Sequence, residues 1–199
     1  MNVVSAVVGK LNTNCYTLCD ENTKSCAIID PGADSEKIIN LVETTDCRPT
    51  AILLTHGHAD HTGAVAVLQK KYCISVYLGE NEPQGYQTIF PKLENVSYYG
   101  EGDIIKVGSL EVLVLATPGH SIGSVTLQVE NALFTGDTLF RRDCGSTQYY
   151  TGNLMQLFSS LRRIGSLRGN YTVFPGHMET TCLDDEREKN VGLHYVLTR

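Results

Sequence analysis

Four short apolar runs of this 199-residue chain end in the same way, at a glycine within three residues of a histidine or an aspartate. Each run has the length of a buried strand, and the glycine lets the backbone turn sharply where the strand stops. Rigid strands hold the polar groups that follow them, so strands that end at one edge of a sheet would bring these groups together. The four endings are residues 56–61, 117–120, 136–137 and 175–177.

The first ending is the densest, because it places three imidazoles and one carboxylate within six residues: His56, His58, Asp60 and His61. A single buried histidine is most often a hydrogen-bonded core residue. Packing four such groups without a cation would be costly, however, and five of the six histidines lie in the four endings. The pattern therefore predicts a metal site, and its nitrogen and carboxylate ligands without thiolate suit Zn, Fe or Mn.

The number of candidate ligands indicates two ions rather than one. His56 and His58 alternate around Gly57 and can face the same ion. Asp60 and His61 follow half a turn later and can reach a second ion, and a further carboxylate could bridge the two. The seven predicted ligands are His56, His58, Asp60, His61, His120, Asp137 and His177.

The rest of the chain predicts an α/β fold in a single domain over residues 1–199. Period-2 and short apolar runs predict strands at 3–8, 14–18, 26–29, 51–55, 75–78, 104–107, 110–116, 124–129, 132–135 and 171–174. Helical spacing predicts helices at 35–44, 62–72, 153–164 and 184–190, with Asn153 as an N-cap. Because the helices separate groups of strands, we expect sheets that are covered by helices on their outer faces.

Composition limits the classes of function. Hydrophobic residues make up 42% and charged residues 19% of the chain, which excludes a disordered protein. No apolar run is long enough for a bilayer, no signal-peptide order is visible, and the seven cysteines form no C-x-x-C pair. The net charge of −6 without a basic block argues against nucleic acid. We therefore expect a cytoplasmic protein with reduced thiols and a small-molecule substrate, whose oligomeric state is open.

These motifs resemble the metallo-β-lactamase superfamily across about residues 10–190, with the glyoxalase II-like (hydroxyacylglutathione hydrolase-like) branch nearest. The segments that resemble this branch are Asn14-Cys15-Tyr16, Asp30-Pro31-Gly32, Thr117-Pro118-Gly119-His120-Ser121 and Gly136-Asp137-Thr138-Leu139-Phe140. The resemblance implies an αββα sandwich of two mixed β-sheets with helices outside. It also implies that His56, His58 and His120 hold metal 1, that Asp60, His61 and His177 hold metal 2, and that Asp137 and a hydroxide bridge them.

The resemblance covers the metal ligands better than glutathione recognition. Glyoxalase II enzymes carry an additional C-terminal helical region that helps to hold glutathione, and this chain is expected to lack it. Where these relatives have a basic residue after Cys-Gly, this chain has Ser146 after Cys144-Gly145. A thioester or a related small ester is therefore expected as substrate, without a defined thiol carrier.

The expected reaction is hydrolysis by water whose pKa metal binding has lowered to around 7. Asp60 could orient the nucleophile and accept its proton, so it is the predicted catalytic residue. A thiolate leaving group, with a thiol pKa of about 8.5, needs little help from an acid. Two Zn ions are expected, with Fe or Mn as alternatives. Arg141, Arg142 and Tyr149 are candidates for substrate binding, although a solvated turn is the slightly favoured interpretation of the two arginines.

Two other functions stay open. A mononuclear-iron oxidoreductase would resemble the persulfide dioxygenases of the same superfamily, although Ser146 and Gln148 replace their arginine and aspartate. A binding module would keep the metal without turnover. The number of ions per chain and oxygen uptake on a persulfide would separate the hydrolase from the oxidoreductase.

Overall fold

In residues 1–86 and 88–198, which the computed structural model describes, two six-stranded mixed sheets carry most of the chain. The first sheet is built, in spatial order, from β1 Asn2–Val8, β2 Thr13–Asp20, β3 Ser25–Ile29, β4 Arg48–Leu53, β5 Ser75–Gly79 and β6 Val96–Tyr99. The second contains β7 Ile104–Val107, β8 Leu110–Ala116, β9 Val125–Val129, β10 Ala132–Gly136, β11 Thr172–Pro175 and β12 Thr181–Cys182, also neighbouring in sequence order.

Six helices complete the described part of the chain: α1 Ser35–Glu43, α2 Ala59–Thr62, α3 Val65–Tyr72, α4 Leu154–Gly165, α5 Leu183–Lys189 and α6 Val191–Leu197. Buried Ile38 of α1 and Leu68 of α3 pack on the first sheet, and Leu161 of α4 packs on the second. A separate apolar cluster with Leu18 and Leu127 fills the space between the sheets. The layers are therefore helix, sheet, sheet and helix, which confirms the predicted αββα sandwich.

Strand direction determines where the polar endings come together. β10 pairs in parallel with β11, and β9 pairs antiparallel with both β8 and β10. Therefore β8, β10 and β11 run in the same direction and end at the same edge of the second sheet. In the first sheet, β4 lies between two parallel neighbours, β3 and β5. These four strand ends, of β4, β8, β10 and β11, precede the four polar endings in the chain.

The helix predicted over residues 62–72 is confirmed at α3 Val65–Tyr72, but its predicted start is wrong, because Gly63-Ala64 separate α3 from the short helix α2. A Cβ atom on Gly63 would lie 2.3 Å from the carbonyl oxygen of Gly32, so the chain passes too close to that loop for any larger residue. The backbone N–H of Ala64 donates to Pro31 O at 2.9 Å. A contact distant in sequence therefore divides the helix.

Elements near the C-terminal part of the chain were also missed. The strand predicted at 171–174 is followed by one more short strand, β12, and the helix predicted at 184–190 is followed by α6. Asn190 caps α6, since its side-chain oxygen accepts from the backbone N–H of Leu193 at 3.1 Å. The predicted cap of α4 is confirmed, because Asn153 accepts from Gln156 N at 3.1 Å.

In the part of the chain that is described, no helix has both the length and the apolar character that a membrane crossing requires.

Candidate metal centre

The structure brings the seven predicted ligands together at the ends of β4, β8, β10 and β11. Their ligand atoms form three overlapping groups, and within each group all atoms lie within 4.8 Å of one another. The groups are His56, His58 and His120; Asp60, His61 and His177; and His56, His61 and Asp137. The first two correspond to the two ligand sets that the family resemblance implies.

The first group consists of three ring nitrogens that face one another. His56 Nε2 lies 3.0 Å from His58 Nδ1, and His120 Nε2 lies 2.9 Å from the same atom. All three rings are buried. Burial and the neighbouring imidazoles lower the pKa of His56 well below its usual value and that of His58 to about 4. Burial also lowers the pKa of His120. These rings are therefore neutral near pH 7, which is the form that binds a metal ion.

Two of these rings have their other nitrogen fixed by an acceptor. His120 Nδ1 lies 2.7 Å from Ser146 O, and a carbonyl oxygen can only accept, so Nδ1 carries the proton. His56 Nδ1 lies 3.1 Å from the hydroxyl of Thr55, which itself donates to Asp30 Oδ2 at 2.6 Å. The Thr55 hydroxyl therefore accepts from His56. In both rings Nε2 is left with a free lone pair that is directed into the group.

The two histidines of the second group are fixed in the same way, because the Nδ1 atom of each ring faces an oxygen acceptor. His61 Nδ1 lies 3.0 Å from the buried carboxylate of Asp30, and His177 Nδ1 lies 3.1 Å from Leu11 O. In this group each Nε2 is directed at a carboxylate: His177 Nε2 lies 3.3 Å and His61 Nε2 lies 3.5 Å from Asp60 Oδ2. His58 differs from the other four, because its Nδ1 faces the first group and its buried Nε2 has no described partner.

Asp137 lies between the two groups. Its Oδ1 is 3.4 Å from His61 Nε2, whereas its Oδ2 is 3.5 Å from both His120 Nε2 and His177 Nε2. Among the described residues, His61 Nε2 and Asp137 Oδ1 are buried atoms without a hydrogen-bond partner. A cation bound at these atoms would satisfy both of them. The residues therefore fit two divalent ions, and the position of Asp137 fits a ligand that both share.

The second group contains charged side chains, in contrast to the neutral rings of the first group. Burial opposes ionisation of Asp60, but the hydrogen bond from His177 and the charge of His61 outweigh it and hold the pKa of Asp60 well below its usual range. Burial also opposes protonation of His61 and His177. Asp137 and Asp30 nevertheless raise the pKa of His61 well above its usual value, and Asp60 and Asp137 raise the pKa of His177. Without a metal ion, protons therefore occupy this group.

A cavity opens over the centre, lined by Leu11, His58, Ala59, Asp60, Thr88, Ile89, His120, Asp137, Tyr149 and His177. The ring centroid of Tyr149 lies 5.2 Å from that of His58 and 5.7 Å from that of His120. Beside it, the rings of Tyr150 and Tyr86 stack with centroids 3.7 Å apart. Apolar and aromatic surface therefore surrounds the ligands.

Of the three candidates for substrate binding, Tyr149 lies in the cavity, whereas the described lining does not include Arg141 or Arg142. Arg142 Nη1 lies 2.6 Å from the fully buried carboxylate of Glu186, so it pairs with α5 instead. Arg141 is half-exposed and lies 3.6 Å from Glu179. Arg141 therefore lies in a solvated turn, whereas Arg142 is held by a buried carboxylate, and neither is among the described lining residues of the cavity.

Three residues that hold the ligands were missed as functional residues. The sequence identifies Asp30 only as part of the Asp30-Pro31-Gly32 segment that resembles the family, although Asp30 accepts from Thr55 N at 2.8 Å and fixes His61. Its left-handed φ of 50° puts the carboxylate in this position, and the Asp-Pro-Gly sequence was the available signal. Glu82 accepts from Gly57 N at 2.8 Å, and Thr13 Oγ1 donates to Asp60 at 3.1 Å. For these two no sequence pattern gave a signal.

Comparison with known proteins leads to the same family that the motifs resemble. The profile of the Metallo-beta-lactamase superfamily matches residues 8–177, which include all seven ligands. Hydroxyacylglutathione hydrolase GloC of Haemophilus influenzae is 30% identical over 213 aligned positions, covering 98% of this chain and 99% of that protein.

Two solved structures extend the comparison. TTHA1623 in a di-iron-bound form has a TM-score of 0.84 and 33% identity, covering 94% of this chain and 98% of that one. ETHE1 from Myxococcus xanthus has a TM-score of 0.83 and 29% identity, covering 100% and 86%. Both similarities extend over nearly the whole of each chain.

Proposed function

The chain belongs to the metallo-β-lactamase superfamily, and from that premise we propose that it is a glyoxalase II-like metallo-hydrolase that cleaves thioesters or related small esters. One observation carries the proposal: seven ligand side chains form two groups that Asp137 joins, and four histidines have Nδ1 fixed so that Nε2 is free for a metal. We propose two zinc ions, with iron as the alternative that the di-iron relative supports.

Two bound ions would supply a water of lowered pKa and would polarise the substrate carbonyl. The chain's own residues prepare the reaction around them. Asp60 lines the cavity, accepts from Thr13 and is ionised at neutral pH, so it can accept a hydrogen bond from the attacking water and orient it. Because its pKa is low, Asp60 is a weak base and takes the proton only from a water that has been made acidic.

The leaving group and the cavity favour a thioester. A thiolate leaves without a strong acid, since the pKa of a thiol is about 8.5. Leu11, Ala59 and Ile89 offer apolar surface for the acyl chain, and Tyr149 offers an aromatic face beside His58 and His120. We propose Tyr149 as the substrate-binding residue of this set.

The test is a panel of thioesters, assayed with measurement of bound metal on the same sample. We expect turnover with about two ions per chain, and loss of turnover in His58→Ala, which keeps its secondary structure because the change removes a ligand and not a core contact between the sheets. The matched control is His194→Ala, an exposed histidine outside the centre, which should leave the rate unchanged. Full activity in His58→Ala would contradict the assignment.

A mononuclear-iron persulfide dioxygenase is the second candidate, since the first group of ligands could hold one ion without the second group. One iron per chain with oxygen uptake on a persulfide would favour it over the hydrolase. A metal-loaded protein that turns over neither a thioester nor a persulfide would leave a binding module. We further propose a single-domain protein that acts on a small molecule in the cytoplasm, supported by its seven free cysteines.

A further inference from the structure

A buried carboxylate, Glu82, connects the two loops that supply the first group of ligands. Glu82 lies between β5 and β6 and is 5% exposed. Its Oε1 accepts from the backbone N–H of Gly57 at 2.8 Å. Its Oε2 accepts from the backbone N–H of Gly123 at 2.8 Å and from the hydroxyl of Ser121 at 2.9 Å. Each carboxylate oxygen therefore accepts hydrogen bonds from a different one of the two loops.

The partners of Glu82 are next to the ligands in sequence. Gly57 separates His56 from His58, and Ser121 follows His120 directly. Glycine is required at the contact with the first loop, because a Cβ atom on Gly57 would lie 2.8 Å from Glu82 Cγ. The carboxylate thus lies between two loops that come from different sheets, where it can fix the distance between them.

Burial raises the pKa of Glu82 although three donors oppose this change. Burying a carboxyl group is costly unless hydrogen bonds compensate for the lost water, and three donors from the two loops do so here. Its described side-chain hydrogen bonds go to these two loops and not to Asp60, His61 or His177. Any effect of Glu82 on metal binding should therefore concentrate on the first group.

We infer that Glu82 is a positioning residue that sets the spacing of His56, His58 and His120 and thereby the metal affinity of this group relative to the second. The inference rests on the metal centre of the proposed function and on no particular substrate. The side chain contacts no ligand atom in the described hydrogen bonds, so it would act through the two loops.

The experiment measures zinc affinity in two backgrounds, by competition with a chromophoric chelator. The background Asp60→Asn/His177→Ala keeps the first group, and the background His58→Ala/His120→Ala keeps His61, Asp60 and His177. In the first background we expect Glu82→Gln to weaken zinc binding by about 10- to 100-fold, the usual loss when a residue that orients a ligand is removed. In the second background we expect no change.

Glu80→Gln is the matched control, because Glu80 is an exposed acid two residues away. Glu80→Gln should leave the zinc affinity unchanged in both backgrounds. Circular dichroism of the metal-free proteins verifies folding. If Glu82→Gln does not fold, Ser121→Ala replaces it, since this change removes one donor and keeps both backbone hydrogen bonds. It should weaken zinc binding in the same direction, by less.

An unchanged affinity in the first background, or an equal loss in both, would overturn the role of Glu82. Glu82→Asp keeps the charge but is too short to reach both loops, so a partial loss is expected; full rescue would also count against the inference. The measurement needs no turnover. A protein that binds zinc as expected but hydrolyses no thioester would therefore refute the proposed function alone, and a parent chain without zinc affinity would refute both.

Discussion

At the scale of single residues, the orientation of histidine rings prepares the centre. His56, His61, His120 and His177 each direct Nδ1 at an oxygen of the protein, and this leaves Nε2 as the atom that can bind a metal ion. The acceptors are two backbone carbonyls, one hydroxyl and one carboxylate. Ser146 contributes its carbonyl oxygen, while its hydroxyl accepts from Gln148 N at 3.2 Å within the same loop.

Asp30 holds His61 directly and His56 only through the Thr55 hydroxyl, so its removal should act most directly on the second group. We expect Asp30→Asn to weaken zinc binding in the second group by about 10- to 100-fold, because His61 loses the carboxylate that holds its proton on Nδ1. Asparagine tolerates the left-handed backbone of this position, where φ is 50°. Dialysis followed by metal analysis measures the loss.

Asp34→Asn is the control for this change. Asp34 has the same φ of 50° but is exposed and accepts from Gly9 N at 2.9 Å, away from the ligands. It should retain the zinc content of the parent. Equal zinc retention in Asp30→Asn and Asp34→Asn would contradict the role given to Asp30.

Acid should remove the two ions in a fixed order. The pKa of His61 and His177 is raised in the metal-free centre, so protons already compete with the metal above the usual histidine pKa. The pKa of His56, His58 and His120 is lowered, so protons compete there only at a lower pH. On acidification from neutral pH we therefore expect zinc stoichiometry to fall first by one ion, from the second group. Simultaneous loss of both ions would contradict this order.

At the scale of elements, the sequence predicts what local patterns determine. The strand at 104–107 and the capped helix α4 were predicted because apolar spacing and a local cap suffice to define them. The break at Gly63-Ala64 depends on Pro31 and Gly32, more than 30 residues earlier, and no local pattern contains it. The ligands were predictable from their motifs, whereas Glu82 was not, because its contacts with Gly57 and Ser121 exist only after folding.

Asp20 joins two hairpins at the other end of β2 from Thr13. It accepts from Ser109 N at 2.6 Å, Ser109 Oγ at 2.7 Å and Thr23 Oγ1 at 2.7 Å, and these donors hold its pKa well below its usual value. A depressed carboxyl pKa gives stability that is present above the pKa of the unfolded chain, about 3.9, and is lost as the pH falls below it.

We therefore expect Asp20→Asn to lower the melting temperature at neutral pH, with a difference from the parent that shrinks on acidification. Thermal unfolding across a pH series measures this. Asp46→Asn, at an exposed acid in the turn between α1 and β4, should follow the parent at every pH. A difference that stays constant with pH would mean that the charge of Asp20 is not the cause.

At the scale of the whole molecule, each metal group takes ligands from both sheets. His56, His58, Asp60 and His61 follow β4 of the first sheet, and His120, Asp137 and His177 follow β8, β10 and β11 of the second. A bound ion therefore links the two halves of the sandwich, in addition to the apolar core between them.

Removal of metal should consequently destabilise the whole fold. A ligand that binds only the folded state contributes about 4 kcal/mol when its free concentration is 1,000 times the Kd. We expect a chelator to lower the melting temperature, and added zinc to restore it. The double variant His58→Ala/His177→Ala should respond much less to both. An identical melting temperature with and without chelator would show that the ions do not connect the sheets.

The position of Tyr149 beside the centre also gives a way to follow metal binding by the protein's own fluorescence. The protein has ten tyrosines and no tryptophan, so its ultraviolet emission comes from phenol rings alone. The Tyr149 ring lies against two ligand imidazoles, so we expect a paramagnetic ion such as Co²⁺, bound by these ligands, to quench its emission. Arrival of an ion is thus readable without a dye. Because the chain has no tryptophan, the fluorescence of a single tryptophan introduced elsewhere could be measured separately from that of the tyrosines.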